Sequence, residues 1–324
     1  MPETHPDSEL LVRRIQEGTG LRVSSPLPVK QDTTNFYHIY RGDVLRLGFR
    51  EFFILGEIYE PRFGLEDQPK YWVKRAFDLQ DGQTRILKLV FLEEFDTRIG
   101  SRVFACRRNP EKEARVLEVT RGHEGFMQGV TIRDVAGNPV RVIDVIPGDT
   151  LFAHVFDLHM GHEEYLFTCC PGILRRLREA LSALAFLHDH GLCHGDIRND
   201  HLIVESGTGR LRWIDFDLDQ DTGECDVWRV GNLLQFCVGK GEATFHETRA
   251  NRAEDGPANE TLSDRDASLL YPYRIMNLRK LHGYIPERLN AMLLRFSTEA
   301  GVRYENVRQI VDDLGEVLAA EPFL

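Results

Sequence analysis

The sequence predicts an α+β protein. Its first part should be a small antiparallel β-sheet with one helix, and its second, larger part should be mainly helical. Two observations indicate this: short β runs separated by turn residues fill the chain up to about residue 150, and amphipathic helix patterns follow from there. With 324 residues, 42% of them apolar, the chain is long enough for two such parts and can bury a sizeable core.

The first part begins with a polar leader, residues 1–48, which contains one candidate helix, "SELLVRRIQEG". The next segments alternate as strands do, and Asp81-Gly82 and Gly137-Asn138 are typical hairpin turns between them. The predicted strands read "EFFILGEIY", "YWVKRAFDL", "TRILKLVF", "GVTIRDV" and "VRVIDVI". In "RRNPEKEARVLEVT" we expect the helix of this part, because Asn109 suits the N-cap and Pro110 the first helical position.

The second part shows helical periodicity in several segments. In "GILRRLREALSALAFLHDHG" leucines recur every three or four residues, and Gly191 is suited to end the helix. The segment "DVWRVGNLLQFCVG" is apolar on nearly all sides, which indicates a buried helix. Two further amphipathic helices are predicted in "IPERLNAMLLRF" and "YENVRQIVDDLGEVLAA", and residues 242–265 are polar enough to be a surface excursion.

Composition argues against several classes of function. The formal net charge is −11, which disfavours nucleic-acid and membrane-surface binding. The first residues lack the apolar region of a signal peptide, and no apolar run approaches the roughly 20 residues of a membrane helix. The six cysteines form no C-x-x-C pair, so we expect reduced thiols in a cytoplasmic protein without membrane insertion.

The segment "HGDIRNDHLIVESGTGRLRWIDFD", residues 194–217, has the greatest chemical content. It places Asp196 and Asp215 at opposite ends of one predicted hairpin, where both can reach one site. Asp196 suits a base that orients a hydroxyl group, and Asp215 suits an oxygen ligand for Mg²⁺. Two alternatives remain open: a turn in which the aspartate caps its own backbone, and a metal-dependent hydrolase that uses both aspartates with His194 and His201.

Lys88 lies in the middle of the predicted strand "TRILKLVF", between apolar residues. A lysine on a buried strand is costly unless an opposite charge meets it, and Glu113 on the following helix is a candidate for that charge. The alternatives are an edge strand with Lys88 in solvent and a glutamate on a solvated helix face.

These segments resemble the eukaryotic-like (Ser/Thr) protein kinase superfamily over roughly residues 50–320. "HGDIRNDH" is similar to the H-R-D-L-K-x-x-N loop, "IDFD" to D-F-G, "ILK" to the V-A-I-K strand, and "DVWRVG" to the D-x-W-x-x-G helix. The resemblance implies a bilobal protein-kinase-like fold, with a leader of unknown role at 1–48, an N-lobe at 49–146 and a C-lobe at 147–324.

The resemblance also implies roles for individual residues and cofactors. It makes Asp196 and Arg198 catalytic, and Asp215, together with His201, the holders of Mg²⁺. Asp226 would anchor the backbone of the catalytic loop. ATP would be bound by Lys88, Glu113, Gly56, Gly64 and backbone groups near Asp144 and Ile146.

Four departures mark an atypical member with a shortened activation segment. His201 replaces the metal-binding asparagine, and seven residues, among them Pro61, separate Gly56 from Gly64 in the glycine-rich loop. Gly195 replaces the arginine that reads a loop phosphate. Eight residues, 218–225, separate "DFD" from Asp226, with no A-P-E block, so the peptide-docking platform is expected to be missing and Arg303 needs another partner or is exposed.

The expected function is an ATP- and Mg²⁺-dependent phosphotransferase that transfers the γ-phosphate to a hydroxyl acceptor on a protein, a small molecule or a glycan. The alternative is a pseudokinase that acts as a nucleotide-binding or scaffold module, since His201 and the thin glycine-rich loop depart from the active pattern. No nucleic-acid partner is expected.

Overall fold

The computed structural model describes residues 6–62, 65–99, 102–220, 224–251 and 262–320. Its strands are β1 (Val29–Lys30), β2 (Val44–Leu47), β3 (Arg50–Arg62), β4 (Leu65–Asp78), β5 (Thr84–Lys88), β6 (Glu94–Ile99), β7 (Arg102–Arg108), β8 (Gly129–Arg133), β9 (Pro139–Asp144), β10 (Gly148–Thr150), β11 (Leu202–Glu205), β12 (Leu211–Trp213) and β13 (Leu218–Gln220). Its helices are α1 (Pro6–Thr19), α2 (Pro110–Val119), α3 (Leu151–Phe156), α4 (His162–Thr168), α5 (Cys170–Asp189), α6 (Glu224–Gly239), α7 (Phe245–Asn251), α8 (Glu287–Leu294) and α9 (Val307–Ala320).

The chain forms two compact units. The first unit contains the residues up to 93 together with 108–122 and 127–146, and the second contains 94–107, 123–126 and the residues from 147 onward. The first is built on an antiparallel sheet and the second mainly on helices, as the fold class predicted from the sequence requires. That prediction is confirmed.

The first unit is built on a seven-stranded sheet in the order β1-β2-β3-β4-β5-β9-β8. All neighbours are antiparallel except β1 and β2. Alternate residues of the central strands, such as Phe52, Leu87 and Val142, are buried together, as period-2 patterning requires. A second cluster joins Leu11 and Ile15 of α1 to Phe53, Phe77 and other residues of the sheet.

The leader is an integral part of this unit. Its strand β2 pairs with β3. The backbone N–H and the hydroxyl of Thr33 both donate to Asp134 Oδ2, at 2.6 and 2.7 Å. Asp134 is buried. Its pKa is nevertheless lowered, because hydrogen bonds from Asn138 and Thr33 outweigh the burial that would raise it. Residues 29–47 thereby extend the sheet predicted to begin near residue 50.

The long helix α5 organises the second unit. The five leucines that predicted this helix, Leu174, Leu177, Leu181, Leu184 and Leu187, are all fully buried, and each contributes about 1.5–3 kcal/mol of apolar burial. Trp213 of β12 donates its indole N–H to the carbonyl of Ala180 at 2.8 Å, which fixes the predicted hairpin against the helix. This hairpin, β11–β12, forms a small sheet with β10.

A second small sheet in this unit was not predicted. Strands β6 and β7 form an antiparallel hairpin between β5 and α2 in sequence, and β7 also pairs with β13. Because β13 begins directly after Asp215-Phe216-Asp217, the hairpin pairs with the segment that follows the predicted metal ligand in sequence. In the described part of the chain, no helix is both long enough and apolar enough to cross a bilayer.

Candidate active site

In the first unit, Lys88 and Glu113 form a buried ion pair. Lys88 is the last residue of β5, and Glu113 lies in the first turn of α2, whose N-terminus is capped by Asn109 Oδ1 at 3.1 Å from the N–H groups of Glu111 and Lys112. Lys88 Nζ donates to Glu113 Oε1 at 2.7 Å, and both residues are buried. The contact predicted between these two side chains is therefore present.

A second cation, Arg141 of β9, shares the same carboxylate and was not predicted. Its Nε donates to Glu113 Oε2 at 3.2 Å, while its other nitrogens donate to the carbonyls of Pro139 and Leu89. In the sheet register Lys88 lies directly opposite Arg141, a like-charge pairing that alone would be destabilising. Glu113 stabilises it by bonding both cations from α2.

Of the other four residues predicted to bind ATP, three lie in the described part of the chain. Gly56 lies at a register irregularity of β3–β4 with φ +150°, and Gly64 is outside the described residues. Asp144 ends β9, where its N–H donates to the carbonyl of Gln128 at 2.9 Å, and Ile146 is half-buried in the loop that follows. Their roles toward ATP stay predictions.

In the second unit, the predicted catalytic loop begins with a buried histidine. His194 Nδ1 accepts a hydrogen bond from the N–H of Asp196 at 3.3 Å. Its ring lies 4.5 Å from that of Phe216 and 5.1 Å from that of Trp213. The backbone before Asp196 is thereby packed into the core, while the Asp196 carboxylate keeps 27% of its surface exposed.

His201 lies between the two predicted aspartates. Its Nδ1 is 2.7 Å from the backbone carbonyl of Asp196, so this nitrogen carries a proton and donates it. In the neutral ring the opposite nitrogen, Nε2, then has a lone pair, and it lies 3.7 Å from Asp215 Oδ2. The hairpin thus brings Asp196, His201 and Asp215 together, as the sequence predicted for the two aspartates.

Asp215 itself has an unusual backbone. Its φ is +67°, in the left-handed region that few residues other than glycine occupy. Such strain costs on the order of 1–3 kcal/mol and is concentrated at functional sites. The carboxylate carried by this backbone lies 3.7 Å from His201 Nε2.

His201 Nε2 and Asp215 Oδ2, which lie 3.7 Å apart, are donor atoms of the kinds that divalent cations bind. Mg²⁺ prefers oxygen ligands alone, so an imidazole nitrogen beside a carboxylate oxygen suits a transition-metal ion such as Mn²⁺ better. Their role toward a metal stays a prediction. Within the described ranges, no group of three or more histidine, cysteine, aspartate or glutamate side chains is arranged to hold a metal, so the hydrolase alternative gains no support.

Arg198 contacts an acid of its own loop. Its Nε donates to Asp200 Oδ1 at 2.9 Å, and its Nη2 bonds the other oxygen. Burial would raise the pKa of Asp200, but the Arg198 hydrogen bonds and the nearby charges of His201 and Arg198 lower it below its usual value. The predicted role of Arg198 toward phosphate stays a prediction.

Asp226 of α6 anchors the backbone of the predicted catalytic loop, as expected from the sequence. Its carboxylate accepts the N–H of His194 at 2.7 Å, the N–H of Gly195 at 2.9 Å and the Nε2–H of His188 at 3.0 Å. Burial alone would raise the pKa of Asp226. The hydrogen bond from His188, the charges of both histidines and the Gly195 N–H reverse this, so the pKa is lowered.

The sequence also predicted a shortened segment before Asp226 and a changed environment for Arg303. Residues 221–223 of the short segment before Asp226 lie outside the described residues, so its shortened course stays a prediction. Arg303 is exposed and donates to the carbonyl of Thr298 at 3.4 Å, one of the two outcomes expected for it.

Comparison with known proteins supports the resemblance. No family model matches the chain. A Caenorhabditis elegans protein named as a ribosomal protein S6 kinase alpha-2 is 30% identical over 128 residues, 38% of this chain and 15% of the relative. A casein kinase II subunit alpha homolog of Encephalitozoon cuniculi is 25% identical over 157 residues, 46% of this chain and 48% of the relative. The chain thus spans less than half the length of either relative.

Among solved structures, the PknI kinase domain of Mycobacterium tuberculosis has a TM-score of 0.48 and 15% identity, covering 84% of this chain and 97% of that one. The matched part of the chain is therefore similar in sequence to Ser/Thr protein kinases.

Proposed function

We propose that the protein is an ATP- and divalent-metal-dependent phosphotransferase that transfers the γ-phosphate to a hydroxyl group. The observation that carries this is the state of Asp196. Asp226 accepts the N–H groups of His194 and Gly195, and His201 donates to the Asp196 carbonyl, yet the Asp196 side chain remains 27% exposed. An anchored acid with an accessible carboxylate is what orienting a hydroxyl requires.

The proposed mechanism assigns each step to this chain's own groups. Asp196 accepts a hydrogen bond from the acceptor hydroxyl and directs its oxygen at the γ-phosphorus. As the new P–O bond forms, the bond from phosphorus to the β–γ bridging oxygen breaks, and the acceptor proton passes to Asp196 and then to solvent. Lys88, held by Glu113, binds phosphate oxygens, and Arg198 contributes a further positive charge.

Asp215 and His201 would hold the metal ion. Bound there, a divalent cation supplies charge neutralisation on the phosphates. The superfamily generally uses Mg²⁺. In this chain Asp215 supplies the oxygen donor that Mg²⁺ prefers, and His201 supplies a nitrogen in place of a second oxygen.

The acceptor class is open between a protein hydroxyl, as the kinase names of the relatives suggest, and a small molecule or glycan. The short segment before Asp226 leaves little chain for binding an extended peptide, which favours the smaller acceptors. We place the protein in the cytoplasm, since none of its features points to secretion or to nucleic acid.

Incubation with γ-labelled ATP and parallel protein-lysate and metabolite panels tests the proposal. Asp196→Ala should abolish labelling while Asp312→Ala, which removes an exposed carboxylate on α9, should leave it intact. Label that persists in Asp196→Ala would refute the mechanism. A thermal shift with ATP that is absent, or independent of metal, would instead favour the pseudokinase.

A further inference from the structure

Helix α6 binds both backbone polar groups of Gly195, its N–H and its carbonyl. Asp226 and Arg229 are three residues apart, so they lie on one face of the helix. Asp226 Oδ1 accepts the N–H of Gly195 at 2.9 Å, and Arg229 Nη1 donates to the carbonyl of the same residue. Because Gly195 directly precedes Asp196, this clamp fixes the position from which the Asp196 side chain departs.

Arg229 also brings a charge to Asp196. Its Nη1 lies 3.9 Å from Asp196 Oδ1, and the residue is only 7% exposed. Burial alone would lower the pKa of Arg229. The electrostatic effect of Tyr271 and the charges of Asp196 and Asp226 reverse this, so the pKa is raised and the group stays charged.

The clamp depends on the glycine at position 195. Gly195 has φ +85°, a conformation that L side chains rarely adopt, and it carries no side chain of its own that could reach Asp196. The positive charge beside Asp196 therefore comes from a helix 34 residues away in sequence. The guanidinium is oriented by its hydrogen bond to the Gly195 carbonyl.

We propose that Arg229 is a positioning residue for phosphoryl transfer: it fixes the Gly195 peptide and aligns the Asp196 carboxylate with the acceptor hydroxyl. This rests on the proposed function. Arg229 acts through Asp196 and touches neither nucleotide nor acceptor, so its removal should lower kcat and leave nucleotide affinity unchanged. A purely structural role would lower thermal stability and nucleotide affinity together.

The test compares full-length wild type, Arg229→Gln, Arg229→Lys and a control, Arg288→Gln, which removes an exposed arginine from α8. Phosphate release from ATP to water is measured with saturating ATP and metal, and the Kd of a non-hydrolysable ATP analogue is measured by calorimetry. We expect kcat to fall about 100-fold in Arg229→Gln, the range for displacing a catalytic group by about 1 Å. Arg229→Lys should recover part of this, and Kd should stay within about twofold.

The results separate the two proposals. A wild type that neither releases phosphate nor labels any acceptor in the panels contradicts the phosphotransferase. An active wild type with an equally active Arg229→Gln overturns the role of Arg229 but does not contradict the phosphotransferase. The same conclusion follows if the Kd of the ATP analogue weakens by the same factor as kcat falls.

Should Arg229→Gln not fold, Tyr271→Phe keeps Arg229 and removes only a hydroxyl group that acts on the guanidinium electrostatically. We expect a several-fold lower kcat with unchanged Kd. An unchanged kcat in that variant would contradict the proposal.

Discussion

Replacing Glu113 with glutamine should destabilise the first unit strongly, because two buried cations share this carboxylate. Lys88 Nζ and Arg141 Nε lie 2.7 and 3.2 Å from its two oxygens. The amide keeps one acceptor but turns an N–H₂ group toward one of the cations. Removing one partner of a buried pair costs about 3–5 kcal/mol, and the like charges of Lys88 and Arg141 would then face each other across the sheet.

The magnitude matters because a domain of this kind is stable by only about 5–15 kcal/mol. Urea unfolding followed by circular dichroism gives the free energy of unfolding, and hydrogen exchange in peptides from β5 and α2 shows where protection is lost. Glu118→Gln is the matched control, since Glu118 is exposed on the same helix. It should change stability by less than about 0.5 kcal/mol.

A second comparison tests the reasoning itself. Lys88→Met removes one cation and leaves Glu113 paired with Arg141, so it should cost less than about 2 kcal/mol. If the free energy of unfolding of Glu113→Gln lies within about 1 kcal/mol of the wild-type value, the carboxylate does not hold the two cations as described. The same conclusion follows if Lys88→Met loses more stability than Glu113→Gln.

Three further outcomes are expected. His201→Asn replaces the imidazole nitrogen with an amide oxygen, so thermal stabilisation by a non-hydrolysable ATP analogue should shift in favour of Mg²⁺ over Mn²⁺. Asp226→Asn should cost about 3 kcal/mol at pH 7 in urea unfolding, because the amide cannot accept all the bonds that the carboxylate accepts. The pKa of Asp226 is lowered in the fold. The wild-type advantage should therefore be complete above about pH 4 and be lost as pH falls through the folded pKa. Gly195→Ala should cost about 1–2 kcal/mol because its φ is +85°, whereas Gly301→Ala, at an exposed position without a positive φ, should be close to neutral.

Each of these has a contrary result. An unchanged Mg²⁺ to Mn²⁺ ratio in His201→Asn would remove His201 from the metal site. A wild-type advantage over Asp226→Asn that grows as pH falls below 4 would contradict the lowered pKa. Equal losses in Gly195→Ala and Gly301→Ala would show that backbone strain at Gly195 is unimportant.

Local features of this fold could be predicted from the sequence. The cap formed by Asn109 and Pro110 depends on neighbours along the chain, and so does the buried leucine face of α5. Resemblance to kinase motifs added the pairing of Lys88 with Glu113 and the anchoring by Asp226, because their spacing along the chain is characteristic.

What the sequence could not predict depends on contacts between distant segments. Arg141 lies in an alternating strand pattern, and Arg229 lies in an apolar helix. Neither pattern predicts which carboxylate or carbonyl the side chain will contact. The β6–β7 hairpin was missed although Phe95, Thr97 and Ile99 alternate with charged residues. No element was predicted for this segment, and its pairing with β13 is set by tertiary structure.

The β13–β7 pairing ties Asp215 to a distant part of the chain. Only two residues separate Asp215 from β13. A reorientation of this aspartate would therefore either break main-chain hydrogen bonds of β13 or move the β6–β7 hairpin with it. The hairpin thus restricts the movement of Asp215, and a shorter hairpin would allow the Asp215 side chain a wider range of orientations.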